Sequence, residues 1–428
     1  MPLETVERSL PTSLRRHKHF IVNPTYQALL TDNALTSPDA FVALEGAIVS
    51  GHPDRHVMRI EIGGVSCYLK REHRVPIRDR VRNFLAGFGF TSVSVREART
   101  LGELARIGIP VPEWMAAGES SDGRAFLLLR DTGRRTDLRA SLADESNLDR
   151  TERGHLAHRL ARHIAEIHNY GFNYADLYAK HVLVDSNCTD FAFLDWQRSR
   201  RHHRVTWPQR CHDLAGLNAS LSDELVGADL RLTFLIAYWR ATPDHSMSFQ
   251  EVCKRIQART MRLSKRSSIR EQRLPKVRES QPLFWLDGET LCFTSIGSEL
   301  LDPRAIERIA YPFRADNRSA VSKIRILIDG DRVCDLTRRR TVRPIAQIKD
   351  WLRGLRSNAP ECRAAAQLLR KERLGEPCCL LAFGQRRASW GVLDSFILTV
   401  ADSAKEGCHD DERRLAGLLA SDAKLAVG

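Results

Sequence analysis

With 428 residues, 43% of them hydrophobic and 28% charged, the chain has the length and balance of a packed soluble protein of two or three domains. No stretch approaches the roughly 18 apolar residues of a membrane-spanning helix, and Met1 to Arg8 lack the apolar core of a secretory signal, so a cytoplasmic location is expected. A net charge of +13 points to an anionic partner (nucleic acid, a membrane face or a phosphorylated substrate) unless it is only a solvated surface.

Taken in order, residues 1–19 form a basic arm, and residues 20–130 read as a first lobe. Ser37-Pro38-Asp39 is a helix start, and Val57–Ile62 and Val65–Lys70 alternate around Gly63-Gly64 as a β-hairpin. A helix is predicted over Ser94–Ile107, carrying Glu97 in its first turns, with Val95, Ala98, Leu101 and Leu104 at helical spacing. A strand is expected after Ile109–Pro112 and an apolar one over Ala125–Leu129, before the connector Arg130–Gly133. Residues 131–260 read as a second lobe, opening with a helix over His155–Tyr170 and including another over Leu230–Trp239. A basic linker is expected over 261–284. The ten cysteines follow no metal-ligand spacing and read as reduced packing residues.

Between the two helices of the second lobe lies the stretch that carries chemistry. Asp176 opens a short loop, His181 follows five residues on, and the apolar runs Val182–Val184 and Phe191–Leu194 flank a turn-rich segment. Two strands joined there return Asp195 beside His181. Phosphoryl transfer needs such a set: a base for the acceptor hydroxyl and oxygen ligands for the magnesium on a nucleotide. Asp176 is the candidate base and Asp195 the candidate Mg2+ ligand. His181 could touch the metal weakly, bond Asp195 or orient the loop. Lys70, ending a strand, and Glu97, early in the next helix, fit an ion pair that holds the phosphates of ATP. Asp213 either caps a helix or supports the loop from below. Arg198, Arg200, Arg201 and Arg204 could clamp an anionic acceptor or form a solvated basic loop.

Residues 285–428 repeat the first lobe. Cys67 and Cys334, Gly87 and Gly354, and Gly108 and Gly375 are each separated by 267 positions. In that register Lys70 falls on Thr337 and Glu97 on Ala364, and no Asp-x4-His stretch follows. The copy thus reads as a degenerate first lobe, suited to scaffolding, regulation or membrane docking through Arg338–Arg340 and Arg343.

Tyr174-Ala-Asp-Leu-Tyr-Ala-Lys-His181 together with Phe193-Leu-Asp-Trp196 resembles the lipopolysaccharide kinase (Kdo/WaaP) family. The resemblance spans roughly residues 20–240. It implies an α+β, bilobal, protein-kinase-like domain that uses ATP and Mg2+ to phosphorylate sugars of the lipopolysaccharide inner core. It assigns the base to Asp176, the metal aspartate to Asp195, the nucleotide lysine to Lys70 and its helix glutamate to Glu97. The expected partner is a lipopolysaccharide-core or related anionic glycan, with peripheral contact to an anionic membrane face. Two departures stand out: Tyr174-Ala175 where protein kinases have His-Arg, and Trp196-Gln197 where they have Phe-Gly. The alternatives are another kinase of the same fold or a non-catalytic binding relative. Nucleic acid is disfavoured, because the basic runs lack interleaved base-stacking aromatics.

Overall fold

Side-chain alternation and glycine geometry shape the first sheet. In the computed structural model, which describes residues 19–52, 55–133, 135–143, 148–266, 269, 283–287, 290–311, 319–328, 332–342, 359–373, 379–389 and 391–401, the chain begins with β1 (Ile21–Val22), α1 (Gln27–Asp32) and α2 (Pro38–Ala43). There follow β2 (Ala47–His52), β3 (Arg55–Ile62), β4 (Val65–Glu72), α3 (Ile77–Leu85), α4 (Val93–Arg106), β5 (Trp114–Glu119) and β6 (Ala125–Arg130). In β3, Met58, Ile60 and Ile62 are buried while Arg59 and Glu61 point outward, the period-2 signature of a half-buried strand. Gly63 and Gly64 both take positive φ (54° and 77°), which a tight two-residue turn between right-twisted strands requires. The strand order of this sheet is β1-β5-β6-β4-β3-β2. Ser92 caps α4 by accepting from the Val95 amide, one residue earlier than predicted.

The next segment is mainly helical: β7 (Arg135–Asp137), α5 (Leu138–Ala143), α6 (Arg150–Asn169), β8 (Phe172–Asn173), β9 (Val182–Asp185), β10 (Phe191–Phe193), β11 (Arg200–Arg201), α7 (Trp207–Ala219), α8 (Ala228–Ala241) and α9 (Phe249–Ser264). Helix α6 starts five residues before the predicted His155, because Asp149 and Glu152 form a reciprocal capping box that outweighs the polar text behind it. Strands β9 and β10 pair antiparallel with Phe193 opposite Val182, and β7 adds to the other edge of β9. One core joins Val95, Leu101 and Leu104 of α4 to Leu160 and Ile164 of α6 and to Leu214 and Leu217 of α7.

The C-terminal region contains β12 (Leu283–Asp287), β13 (Leu291–Thr294), α10 (Ser295–Leu300), α11 (Pro303–Ala310), β14 (Ala320–Ile328), β15 (Arg332–Val342), α12 (Pro360–Arg373), β16 (Leu380–Ser389) and β17 (Val392–Val400). Its sheet runs β12-β13-β16-β17-β15-β14, so the last four strands share the order β5-β6-β4-β3 of the first sheet. Strand β15, helix α12 and strand β17 begin at 332, 360 and 392, each 267 residues after β4, α4 and β6 at 65, 93 and 125. The anchors at 351–354 and 375–377, the arm before residue 19, most of the 261–284 linker and Arg343 lie outside the described residues.

The chain divides into two compact units, one holding 61–69 and 75–275 with the N-terminal segment, the other holding 45–60, 70–74 and the C-terminal region. Within the second, Ile48 of β2 packs on the cluster of Cys292, Ala365, Leu380 and Phe383. Arg338–Arg340 do not form the free basic face expected of them. Arg340 is buried and forks onto Asp394 at 2.7 and 2.9 Å, Arg339 meets Glu361 at 2.6 Å, and Arg338 donates to the Ile309 carbonyl and Ser322. Strand alternation cannot expose all three, and a buried guanidinium requires a carboxylate. The eight described cysteines are free thiols, and five of them are buried. Among the described residues no helix is long and apolar enough to cross a membrane.

Candidate active site

The loop between β8 and β9 is held from beneath by one carboxylate. Asp213 lies within α7, whose N-cap is Thr206, so the helix-capping alternative does not apply. The carboxylate is buried, accepts the Tyr174 amide at 2.6 Å and lies 3.4 Å from His168 Nε2. His168 is itself buried, bonds Tyr238 through Nδ1 at 2.6 Å, and is pushed by burial below the ordinary histidine range. Ser220 accepts the Ala179 amide at 2.9 Å, which fixes the far end of the loop. The loop backbone is therefore pinned at two points by buried side chains, the condition for holding a reacting group in one geometry.

Asp176 is 6% exposed. Its Oδ1 accepts from Arg198 Nη1 at 2.8 Å, while Oδ2 is buried without a hydrogen-bond partner among the described residues. Burial pushes this carboxyl up to about 6, against the downward pull of the Arg198 guanidinium and with the upward push of Asp195. A buried carboxylate with one unpaired oxygen and a raised pKa can accept a proton near neutral pH.

Of the three roles open to His181, the structure shows the orienting contact with the loop. Its Nδ1 lies 2.8 Å from the Asp176 carbonyl, and because a carbonyl only accepts, Nδ1 carries the proton. In the neutral ring Nε2 then holds a lone pair, and it faces Asp195 Oδ2 at 3.6 Å. Two electron-rich atoms aimed at each other across that gap suit a shared cation. Among the described residues no group of three or more His, Cys, Asp or Glu side chains forms a metal cage. Magnesium does not need one, since it commonly takes one or two protein ligands and completes its shell with phosphate oxygens and water. Asp195 suits the ion as an oxygen donor, whereas the imidazole nitrogen of His181 is a weak ligand for it. Asp195 adopts φ +62°, a left-handed conformation that is uncommon outside glycine and is held here by its surroundings: the Leu194 amide donates to the His181 carbonyl at 2.8 Å, and Gln197 bonds Asp195 Oδ1.

The two departures from protein-kinase text are partners. Tyr174 and Trp196 are fully buried and stack with ring centroids 4.2 Å apart and planes 7° apart. The Tyr174 hydroxyl donates to the Leu194 carbonyl, and Trp196 Nε1 donates to the Phe193 carbonyl at 2.7 Å. The stack ties the strand before Asp176 to the residues on either side of Asp195, a role the sequence reading missed because each residue was considered alone.

The four arginines separate. Arg198 reaches Asp176. Arg200 is exposed on β11, and Arg201 pairs with Glu103 at 3.4 Å while lying over the Phe172 ring. Arg204 pairs with Asp244. Lys70 is half-buried on β4 and Glu97 is buried on α4. Beside Glu97, Arg96 was overlooked: its buried guanidinium bonds Asn83 at 3.0 Å, donates to the Ser199 carbonyl, and is lowered to about 10 by burial. Lys180 was also passed over. It precedes His181, and its charge acts on Asp176.

Residues 39–238 match the sequence model of the Lipopolysaccharide kinase (Kdo/WaaP) family. A solved structure described as "WaaP in complex with acyl carrier protein" is similar at 20% identity with a TM-score of 0.43, over 57% of this chain and 99% of that one. No curated protein matches.

Proposed function

We propose that this chain, which belongs through residues 39–238 to the lipopolysaccharide kinase (Kdo/WaaP) family and is thereby a phosphotransferase with a kinase-like α+β domain, phosphorylates a sugar hydroxyl of the lipopolysaccharide inner core. The observation that carries the reading is the loop itself. A buried Asp176 with an unpaired Oδ2 lies next to a histidine–aspartate pair whose donor atoms converge.

In this reading Asp176 Oδ2 accepts the proton of the acceptor hydroxyl as its oxygen bonds to the γ-phosphorus of ATP and the bond to the bridging oxygen of ADP breaks. Asp195, with His181 Nε2 as a weak second donor, would hold Mg2+, which would supply charge neutralisation on the transferring phosphoryl group. Lys70 and Glu97 keep the nucleotide-phosphate roles that the family resemblance assigns to them. Asp213 supports the loop. Arg198 has a second task. Its side chain is 61% exposed, so an anionic acceptor can draw the guanidinium off Asp176 Oδ1 and bind beside the carboxylate. Arg200, beside it on the exposed strand, adds positive charge where that acceptor approaches, with Arg201 and Arg204 behind their ion pairs. Most of the acceleration comes from positioning and electrostatic stabilisation rather than from covalent chemistry by the protein.

We further read residues 285–428 as a degenerate duplicate of the first lobe, supported by the shared strand order and the common 267-residue offset of three elements. Thr337 and Ala364 stand where the nucleotide pair would be. The strand-to-helix ion pair there is Arg339–Glu361, with Glu361 also accepting from Ser395 at 2.7 Å, which makes it a structural lock. A scaffolding or regulatory role follows for this copy, and a chain truncated after Gln281 that keeps full activity would sink it.

The test of the main reading is radiolabel transfer from ATP to core oligosaccharide. Asp176→Ala and Asp195→Ala each reduce transfer by about a thousandfold or more while the circular dichroism stays that of the native chain. Undiminished transfer by either variant refutes the assignment, and label appearing on protein instead of glycan moves the enzyme to another acceptor class.

A further inference from the structure

The buried Arg96 joins two segments that the sequence keeps 103 positions apart. It precedes Glu97 on α4 and is 6% exposed. Its Nη1 donates to Asn83 Oδ1 at 3.0 Å, its Nη2 donates to the Ser199 carbonyl, and the guanidinium lies over the Phe88 ring, 4.7 Å from the centroid. Asn83 is itself buried and its Nδ2 donates to the Thr91 carbonyl at 2.8 Å, which turns Oδ1 towards the arginine. These partners of Arg96 are an amide, a carbonyl and a ring, all neutral. A packing role alone is filled at lower desolvation cost by an apolar side chain of similar length. What the guanidinium adds is a planar fork that spans two acceptors on two different segments.

Ser199 is the acceptor that bears on the site. It is 1% exposed and is held at three of its polar groups. Its amide donates to the Trp196 carbonyl at 3.0 Å, its hydroxyl donates to the Asn173 carbonyl at 2.7 Å, and its carbonyl accepts from Arg96. The Arg200 amide extends the hold by donating to Asn173 Oδ1 at 2.9 Å. Arg198, one residue earlier, has a largely exposed side chain whose Nη1 reaches Asp176 Oδ1 at 2.8 Å. An exposed arginine has many rotamers open to it, so its aim depends on how firmly its backbone is fixed. Ser199 supplies the fixed point, and Arg96 is the grip on it that comes from α4. Arg96, Asp176, Arg198 and Ser199 all lie in the same compact unit.

We infer that Arg96 is a positioning residue for Arg198: by holding the Ser199 carbonyl it sets the backbone from which Arg198 reaches Asp176 and the anionic acceptor. The consequence for turnover rests on the phosphotransferase reading, whereas the consequence for the order of the Arg198 side chain does not.

The test uses the full chain with Arg96→Met, which keeps the length and loses both donors, and Arg96→Lys, which keeps the charge without the fork. The order of the Arg198 guanidinium is read first, without substrate, by NMR relaxation of its Nε–H, the signal being assigned by its loss in Arg198→Ala. Wild type shows an ordered Arg198, and either Arg96 variant makes it as mobile as the exposed Arg200. Kinetics with core oligosaccharide follow. Arg96→Met raises the acceptor KM by about tenfold, as Arg198→Ala does, and leaves the KM for ATP near its original value. The double variant Arg96→Met/Arg198→Ala is no worse than either single one, because both remove the same contact. Losses that instead multiply to about 100-fold in the double variant overturn the proposal. So does an Arg198 that stays ordered in an Arg96 variant of native circular dichroism. If Arg96→Met does not fold, Arg96→Lys carries the same outcomes. A mobile Arg198 in the variants, with no wild-type transfer to the oligosaccharide, supports the positioning contact and refutes only the glycan-kinase reading.

Discussion

The stack of Tyr174 on Trp196 gives the sharpest quantitative test of how the loop is assembled. Trp196 is fully buried and contributes three separable things: its volume, the ring stack at 4.2 Å, and the Nε1 bond to the Phe193 carbonyl. Trp196→Ala removes all of them, and a large-to-small change at a buried aromatic costs about 3–5 kcal/mol. Trp196→Phe keeps a ring but orphans a buried carbonyl, for about 1–2 kcal/mol. The part that belongs to the stack is isolated by a cycle of Trp196→Leu, Tyr174→Leu and the double variant, with an expected coupling of about 0.5–1.5 kcal/mol. Because the chain divides into two compact units, a single global unfolding energy is poorly defined. The suitable observable is the opening free energy of the Phe193 and Leu194 amides by native-state hydrogen exchange, since these donate to the Pro110 and His181 carbonyls beside the stack. A coupling indistinguishable from zero would falsify the claim that the two departures compensate each other. A coupling at those amides with equal loss of turnover in both single variants supports it.

Three further outcomes follow from individual contacts. Arg198→Ala raises KM for the anionic acceptor by about tenfold and leaves KM for ATP near its original value, because its proposed anionic contact is to the acceptor; equal rises in both would remove Arg198 from the acceptor site. In the second unit, Asp394→Ala deprives the buried Arg340 of its forked carboxylate and costs about 3–5 kcal/mol, whereas Arg340→Met/Asp394→Leu is close to neutral; urea titration of the C-terminal transition distinguishes them, and equal losses would refute the argument. Buried His56 is lowered to about 3, mainly by burial and then by His73 and Arg71, against about 6.5 when unfolded. A depressed folded pKa means that its contribution is fully present above about pH 6.5 and is lost as pH falls towards 3, with a slope of up to about 1.4 kcal/mol per pH unit. His168 is shifted in the same direction by burial and adds to the acid sensitivity. A melting temperature that stays flat between pH 7 and pH 5 would contradict both.

What the sequence determined by itself is local. The Gly63-Gly64 turn, the helical spacing from Val95 to Leu104 and the strands on either side of Cys188 are set by φ preferences and side-chain periodicity, which act within a few residues. The Asp176-to-His181 spacing and the return of Asp195 beside His181 belong to the same class, since one short hairpin accomplishes it. The tertiary structure decided everything that spans a longer loop. Arg198 reaching Asp176, Arg96 reaching Ser199 across 103 positions, and Tyr174 stacking on Trp196 depend on which buried polar and aromatic groups must find one another once the core closes. The same holds for the arginine run at 338–340, which reads as a charged surface in one dimension and is tied into carboxylates and backbone in three. Helix α3, absent from the sequence expectations, is the clearest instance: only its packing against Thr91 and Arg96 shows which side faces out. Periodicity fixes a helix's apolar stripe, and the neighbours' hydrogen-bonding demands decide whether it is buried.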